Sequence, residues 1–386
     1  MSDESRLIEK LKSKKVAVVH DWMFVRRGGE RVLEQILELA PGADLYCLFG
    51  KPGEVLRLKS QHRMFTSFLA KFPFVERLYK VLLPLFPVAI ESFDLSGYDL
   101  VISSSSCVAK GIIPAPHAKH VCYVHSPMRY AWDQEHRYFP KMPSFSKPLE
   151  ILRRIFLSRL RCWDVSSAAR CDAFIANSKF VAQRIGRYYR RKADVVYPPV
   201  ELERFPSKVL PSISQKVLLF GAWVPYKKMG EALEALLKEG ISVIAAGQGP
   251  LLKEAAKKFS DFPNAEFFIE PSDAEVVKIF QQSKILLFPA IEDFGIVPLE
   301  AMASGKWVVA PHEGGTGETV VHGKTGLHFQ EGHIPSMLNA VKQALNKELC
   351  AEEFQEIRRH VEGFAPQRFR NELAEVILRV LEEDCS

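Results

Sequence analysis

Residues 285–329 read ILLFPAIEDFGIVPLEAMASGKWVVAPHEGGTGETVVHGKTGLHF. Ile285–Phe288 is a short apolar run of strand length, bounded by Pro289, and reads as a buried strand. Residues 291–297 form a loop carrying Glu292, Asp293, Phe294 and Gly295. Pro298 opens a short helix, where its missing N–H costs nothing, and Gly305 stops that helix in the left-handed position. Trp307–Ala310 is the next buried strand. Gly314, Gly315 and Gly317 follow, with Glu318 behind them, at the start of a further helical turn. This succession specifies a parallel α/β sheet, in which ligands bind at the carboxyl ends of strands. Glu292 lies on the loop and Glu300 in the first helical turn, with seven residues between them, so both can reach one site. The helix-start N–H groups, with the backbone of Phe294 and Gly295, suit a phosphate. Taken singly, Glu300 also complements a helix dipole, and the glycines also serve as tight turns. Their concentration in one strand–loop–helix unit favours a ligand site.

The phrases EDFGIVPLEAMASGKWVVA and GGTGETVVHGKTGLHF closely resemble the donor-site signature of the family 4 retaining glycosyltransferases. The resemblance implies the GT-B fold, an α/β architecture of two Rossmann-like domains facing across a cleft, with a C-terminal helix crossing back to the first domain. The glutamate pair is that family's hallmark. By resemblance, Glu292 contacts the donor sugar and is the one carboxylate to test as a nucleophile. Glu300 would hold the ribose of the nucleotide. Asp293, Phe294, Gly295, Ile296 and Val297 would line the donor site, Phe294 and Gly295 through backbone N–H groups. The likeness covers about residues 15–383 and is strongest in 285–329.

With 386 residues and 47% hydrophobic content the chain fits two globular domains of ordinary size. A net charge of +6, from 52 basic and 46 acidic residues, is no nucleic-acid footprint. The seven cysteines are scattered, with no C-x-x-C and no zinc spacing to histidine. They read as reduced thiols of a cytoplasmic protein. The leading MSDESRLIEKLKSKK has no apolar signal core, and no apolar run is long enough to span a membrane.

Lys15–His20 (KVAVVH) is the first strand. Asp21 and the loop Arg26-Arg27-Gly28-Gly29 follow, then a helix over Glu30–Leu39. Strand, Gly-Gly loop and helix is a geometry by which backbone approaches phosphate, although a bare Gly-Gly is also an ordinary turn. It lacks G-x-G-x-x-G, so a dinucleotide reading is weak. By resemblance, Gly28 and Gly29 serve the donor phosphates and Asp21 the acceptor or sugar side. Residues 61–90 mix phenylalanine and leucine with His62, Arg63, Lys71, Arg77 and Lys80, broken by Pro73, Pro84 and Pro87. Residues 149–163 form a basic amphipathic helix in which Ile151, Ile155, Phe156 and Leu160 share a face, with Arg153, Arg154, Arg159 and Arg161 around it. Both stretches read either as packing elements or as a surface for an anionic membrane and a lipid-linked acceptor.

Asp99–Ser103 and Lys119–His125 are further strands. The second leads into His125-Ser126-Pro127-Met128-Arg129-Tyr130-Ala131-Trp132-Asp133, which resembles a family subgroup whose members often use GDP-mannose. By that resemblance His125 lies near the reacting sugar and orients it, with Arg129, Tyr130 and Asp133 on the acceptor or sugar side. Ala173–Asn177 is a strand, Ser178-Lys179 caps a helix over Phe180–Tyr189, and Asp194–Tyr197 closes the domain. Pro198, Pro199, Pro206 and Pro211 mark a linker. The expected domains are residues 1–205, 206–365 and a final helix in 366–386.

Val217–Phe220 starts the second domain, and Lys227 and Lys228 stand where its first loop meets a helix. Such a pair is ordinarily solvated. The family places an arginine and a lysine here on the donor diphosphate. Lys227 matches the lysine, while Ala222 stands where arginine is usual, so one clamp is missing or comes from elsewhere, with Lys228 and Arg27 as candidates. Ser242–Gly249, Ala265–Phe268, a helix over Ala274–Gln281 and helices over Met337–Leu345 and Pro366–Glu383 complete the pattern. Glu270 replaces a more usual glycine near where the base would sit.

The expected reaction is transfer of a hexose, with mannose from GDP-mannose preferred, to a hydroxyl of a lipid-linked or saccharide acceptor in envelope glycan or glycolipid synthesis. The chain contains no D-x-D triplet, so no metal and no cofactor is expected. Lysine and backbone donors would meet the charge building on the leaving diphosphate. The rival readings are a non-catalytic sugar-nucleotide binder, given Ala222, and a sugar-nucleotide epimerase of the same fold. The expected location is cytoplasmic, peripheral on the inner face of the membrane, with no nucleic-acid partner.

Overall fold

The computed structural model describes residues 2–139, 147–205 and 214–383. Pro206 and Pro211, two of the expected linker markers, lie outside the described residues. The chain divides into two compact units, Met1–Pro199 with Pro366–Ser386, and Val200–Ala365.

The first unit holds a parallel sheet of β1 (Val16–His20), β2 (Asp44–Cys47), β3 (Met64–Thr66), β4 (Leu100–Ser105), β5 (Lys119–Val124), β6 (Ala173–Ala176) and β7 (Asp194–Val195). Their order is β3-β2-β1-β4-β5-β6-β7. Every residue of β1 and β4 is buried, as a parallel sheet covered on both faces requires. The side chains still alternate. Val16 and Val18 join a core under the helices Gly28–Leu39 and Pro366–Glu382, while Ala17 and Val19 join one with Phe86, Ile90, Leu157 and Leu160 on the opposite face.

The final helix belongs to this first unit. It packs on the helices Asp3–Leu11 and Gly28–Leu39, its Phe369 meets Tyr123 edge-on at 5.7 Å, and Arg370 Nε donates to Glu4 at 2.7 Å. The chain leaves the first unit at Pro199, ahead of the expected 205. Val200 N–H donates to the Phe364 carbonyl at 2.9 Å, and buried Phe205 packs on Phe280 at 5.7 Å, which draws residues 200–205 into the second unit.

The second unit holds β8 (Val217–Ala222), β9 (Val243–Gln248), β10 (Ala265–Ile269), β11 (Ile285–Leu287), β12 (Trp307–Pro311) and β13 (Gly326–Phe329), in the order β10-β9-β8-β11-β12-β13, all parallel. Both sheets thus reverse strand order once, at β1/β4 and at β8/β11. These are the switch points where an open α/β sheet leaves a crevice.

Among the described residues, the elements with no counterpart in the sequence analysis include β2, β3, β13 and the helices Asp3–Leu11, Pro250–Lys258 and Ala351–Glu362. The three strands are three or four residues long and, unlike the equally short β6 and β11, include a polar residue. The helix Ala351–Glu362 buries only Ile357 and Val361.

The stretch 61–90 divides its apolar residues. Leu69, Phe86, Ala89 and Ile90 are buried, whereas Phe65, Phe68, Phe72, Phe74, Leu78, Val81, Leu85 and Val88 are exposed, Phe74 to 72%. The basic helix extends over Lys147–Ala168 and does not present the single face expected of it. Leu160 is buried and Phe156 packs on the core, while Leu149, Ile151, Leu152 and Ile155 are exposed. Arg153 and Arg154 both donate to Glu150, at 2.6 and 2.9 Å. No helix among the described residues is long and apolar enough to cross a membrane.

Candidate active site

Each switch point gathers part of the predicted set. In the second unit, β8 runs into Trp223, a short turn at Pro225–Lys227 and the helix Met229–Lys238. The neighbouring β11 runs into the loop of Glu292. Lys227 and Glu292, far apart in sequence, therefore emerge at the ends of adjacent strands and form an ion pair. Their side chains are only 15% and 10% exposed, and the Lys227 ammonium also lies 5.4 Å from the Phe288 ring. A charge so far from water is tolerated because it is paired. Lys228 turns away. Its backbone is left-handed (φ 53°), and its ammonium pairs with Glu331 rather than with Glu292.

Two helix positions differ from expectation. The helix following Glu292 spans Ile296–Ala303, not from Pro298, with Gly295 as its N-terminal cap at φ 88°. Ile296 and Val297 therefore supply the N–H groups that lack intrahelical partners, and Glu300 sits in the second turn. Glu300 is 5% exposed. Its Oε1 accepts from Arg204 Nη1 at 3.2 Å, and Arg204 Nη2 reaches Asp273 at 3.0 Å.

Phe294 is buried and its ring packs on Phe364 at 6.0 Å, so what it can offer a ligand is backbone. Asp293 is buried alongside. The Gly-rich loop lies directly on this segment. Gly315 N–H donates to the Glu292 carbonyl at 2.8 Å, and a Cβ on Gly314 would sit 2.6 Å from the same oxygen. These glycines thus exist for close backbone approach. Glu270 holds a positive φ of 54°, the conformation that favours the glycine usual there, and its carboxylate pairs with Lys253 at 3.0 Å.

In the first unit, Gly28 and Gly29 are not a loop. They are the first two residues of the helix Gly28–Leu39, so their N–H groups belong to the unpaired helix start. Gly29 Cα lies where a Cβ would be 3.8 Å from the His125 ring and 3.9 Å from His20. His20, His125 and Ser104 meet there. The Ser104 hydroxyl lies 3.0 Å from His20 Nδ1 and 2.8 Å from His125 Nε2. Asn177 Nδ2 donates to the His125 carbonyl at 2.9 Å.

Two residues expected on the acceptor or sugar side are instead scaffold. Asp21 is 1% exposed. Its carboxylate accepts from the N–H groups of Ser106, Cys107, Val108 and Ala109 and from the Ser106 hydroxyl, at 2.6 to 3.0 Å. Every lone pair is committed to the loop after β4. Tyr130 places its hydroxyl 2.7 Å from Cys107 Sγ. Burial first, then the Cys107 thiol, pushes the phenol well above its ordinary pKa, so it stays neutral and inward.

Asp133 accepts from Arg184 Nη2 at 2.6 Å, while Arg184 Nη1 donates to Ser126 at 2.9 Å. Arg129 Nε lies 3.4 Å from the same Ser126 hydroxyl. Trp132 Nε1 donates to Asp164 at 2.8 Å, and Asp164 Oδ1 is paired with buried Lys110 at 2.9 Å. The segment after His125 is therefore tied down from several elements. His20, Ser104, Arg184 and Arg204 escaped the sequence reading. For His20 a signal existed, since it ends the first strand as His125 follows the fifth. Arg204 and Arg184 carried none. Among the described residues no group of three or more His, Cys, Asp or Glu side chains is arranged to hold a metal ion.

Two family models match in succession, Glycosyltransferase Family 4 over residues 26–204 and Glycosyl transferases group 1 over residues 201–361. An uncharacterized glycosyltransferase of Methanocaldococcus jannaschii is 26% identical over 180 residues, 46% of this chain and 50% of the relative. The alpha-1,3/1,6-mannosyltransferase ALG2 of Homo sapiens is 24% identical over 349 residues, 80% of this chain and 78% of that one. The chain thus spans only about half the length of the first of these relatives. Among solved structures, HepE of Anabaena in complex with UDP and glucose superposes with a TM-score of 0.65 at 17% identity, covering 94% of this chain and 99% of that one. With two parallel Rossmann-like sheets and family models meeting at the boundary between the units, the chain belongs to the family 4 glycosyltransferases of GT-B fold.

Proposed function

We propose that this glycosyltransferase moves a hexose, with retention of configuration and without a metal ion, from a nucleoside diphosphate sugar to a hydroxyl. The observation that carries the reading is the meeting of Lys227, Glu292 and the helix start at Ile296 at the second sheet's switch point. A leaving diphosphate gathers negative charge. An ammonium and oriented N–H groups stabilise it most when they are fixed in advance and shielded from water. Glu292 would then contact the sugar and Glu300 the ribose. Incubation with candidate nucleotide sugars and acceptors, followed by mass spectrometry of product, tests the reading. Transfer should survive excess EDTA, and its complete loss on chelation with recovery on magnesium or manganese would refute the metal-free site. Nucleotide binding without any turnover would favour the non-catalytic reading, and release of free epimerised sugar the epimerase.

For the donor we favour GDP-mannose, supported by the phrase at His125–Asp133 and by the mannosyltransferase among the relatives. Competition between GDP, UDP and ADP tests it, and a clear preference for UDP would reject it. For the acceptor we favour a lipid-linked saccharide reached from an anionic membrane surface on its cytoplasmic side, in envelope glycan or glycolipid synthesis. The support is the exposed set Phe68, Phe72, Phe74, Leu78 and Val81, interleaved with Lys71, Arg77 and Lys80. Each basic residue near anionic lipid adds about 1 kcal/mol. Co-sedimentation with anionic liposomes should occur and weaken with salt; protein left in the supernatant at low salt would leave a soluble acceptor.

A further inference from the structure

The Ser104 hydroxyl is fully buried between two imidazoles. It has one proton to give, and His20 Nδ1 at 3.0 Å and His125 Nε2 at 2.8 Å both lie within reach. With both rings neutral, one nitrogen must accept that proton and the other must donate to the oxygen. The tautomers of His20 and His125 are therefore coupled through one oxygen, and the choice between the two arrangements must be read from the surrounding network.

Glu30 makes that choice. It lies in the first turn of the helix Gly28–Leu39, is 9% exposed, and places Oε1 4.0 Å from His20 Nε2. Its other oxygen accepts the Arg27 N–H at 2.8 Å, which fixes the carboxylate. A lone pair on His20 Nε2 would point at this buried negative charge. A proton there is attracted to it, and the low-dielectric surroundings amplify the difference. His20 accordingly carries its proton on Nε2 and accepts from Ser104 at Nδ1. Ser104 in turn accepts from His125 Nε2–H.

We infer that Glu30, His20 and Ser104 are positioning residues that hold His125 as its Nε2–H tautomer, so that Nδ1 is the acceptor nitrogen of that ring. This rests on the proposed function insofar as His125 serves the sugar. A ring in this form accepts a hydrogen bond from a sugar or acceptor hydroxyl through Nδ1, and does not donate one from Nδ1 to a phosphate oxygen. The same chain explains two residues that the family resemblance did not use, a buried serine at the end of β4 and a histidine at the end of β1.

The test is a long-range proton–nitrogen correlation spectrum of the ligand-free protein at pH 8, with His125 assigned by His125→Gln. A protonated Nε2 on His125 is expected, and a protonated Nδ1 would overturn the inference. Ser104→Ala should convert His125 to a tautomer mixture and lower kcat/KM about 10-fold or more, as removal of an outer partner that sets a ring's tautomer commonly does. His20→Asn, whose side-chain oxygen can still accept from Ser104, should keep the Nε2–H signature, whereas His20→Leu should lose it. A Ser104→Ala protein with an unchanged tautomer and unchanged kcat/KM would overturn the inference. Absence of glycosyl transfer in the parent protein would count against the proposed function alone, because the tautomer is read without substrate.

Discussion

The two switch points share a topology and differ in how their acids are satisfied. In the first unit, Asp21 is neutralised by four backbone N–H groups and a hydroxyl of one loop. Such partners are built into the chain and cannot leave. In the second unit, Glu292 and Glu300 are each met by the end of a long cationic side chain, Lys227 and Arg204. A lysine or arginine can swing to a new anion at modest cost, since its stem has several rotatable bonds. Acids held by backbone are therefore structural, and acids held by exchangeable cations are available to a ligand that brings its own charge. A diphosphate offered to Lys227 would release Glu292 toward the sugar, the role proposed for it.

The sharpest way to break this contrast is at Asp21. Asp21→Ala strands the donors of a whole loop and should lower the unfolding free energy by about 4 kcal/mol, measured by urea denaturation. A loss under about 1 kcal/mol would return Asp21 to the candidates for substrate contact.

His120 in the first unit sharpens the same point through pH. It is fully buried between Ser103 and the Arg170 carbonyl, and burial lowers its pKa to about 4. A base whose folded pKa is depressed excludes a proton that the unfolded chain takes up. Its stabilising contribution is thus complete above about pH 6.5 and is lost as pH falls toward 4, amounting to up to about 3 kcal/mol. Stability measured across that window should fall with acid, and the slope should flatten in His120→Gln.

In the second unit the expected effects are on activity. Lys227→Ala and Glu292→Ala should each reduce turnover about 100-fold, and each should also lower the melting temperature, because it leaves a largely buried partner charge unpaired. They should part in binding. Loss of Lys227 weakens nucleoside diphosphate affinity, while loss of Glu292 frees Lys227 and leaves that affinity equal or tighter. Calorimetry that finds both variants weakened alike would mean the pair is not exchanged on binding. The smallest effect is expected at Glu300, the proposed ribose contact, where Glu300→Ala should cost about 1–3 kcal/mol of nucleotide binding. Arg204→Ala should cost less, because Arg204 donates to Glu300 and would act on the proposed ribose contact through it.

Legibility followed the length and regularity of the signal. Strands β1, β8, β9 and β12 were readable because each is a continuous apolar run flanked by glycine, charge or proline. A strand of three or four residues shows no period and is legible only as an unbroken apolar run, as in β6 and β11, whereas Asp44 opens β2 with a charge and Gly326 and His328 interrupt β13. Glu292, Glu300 and Lys227 stood in a local phrase. Arg204 and Ser104 did not, since a lone arginine after a linker and a serine at the end of a strand look like any other.

The sequence by itself determined two parallel α/β units, the strand ends that carry ligands, and the glycines at 295, 314 and 315, because apolar periodicity and backbone freedom are local properties of the chain. Only the tertiary structure decided which polar groups remain available for chemistry. Whether a carboxylate is spent on its own loop, as Asp21 is, or held by a movable cation, as Glu292 is, depends on partners that arrive from distant strands. The strength of those contacts comes from burial that exists only once the sheets have formed.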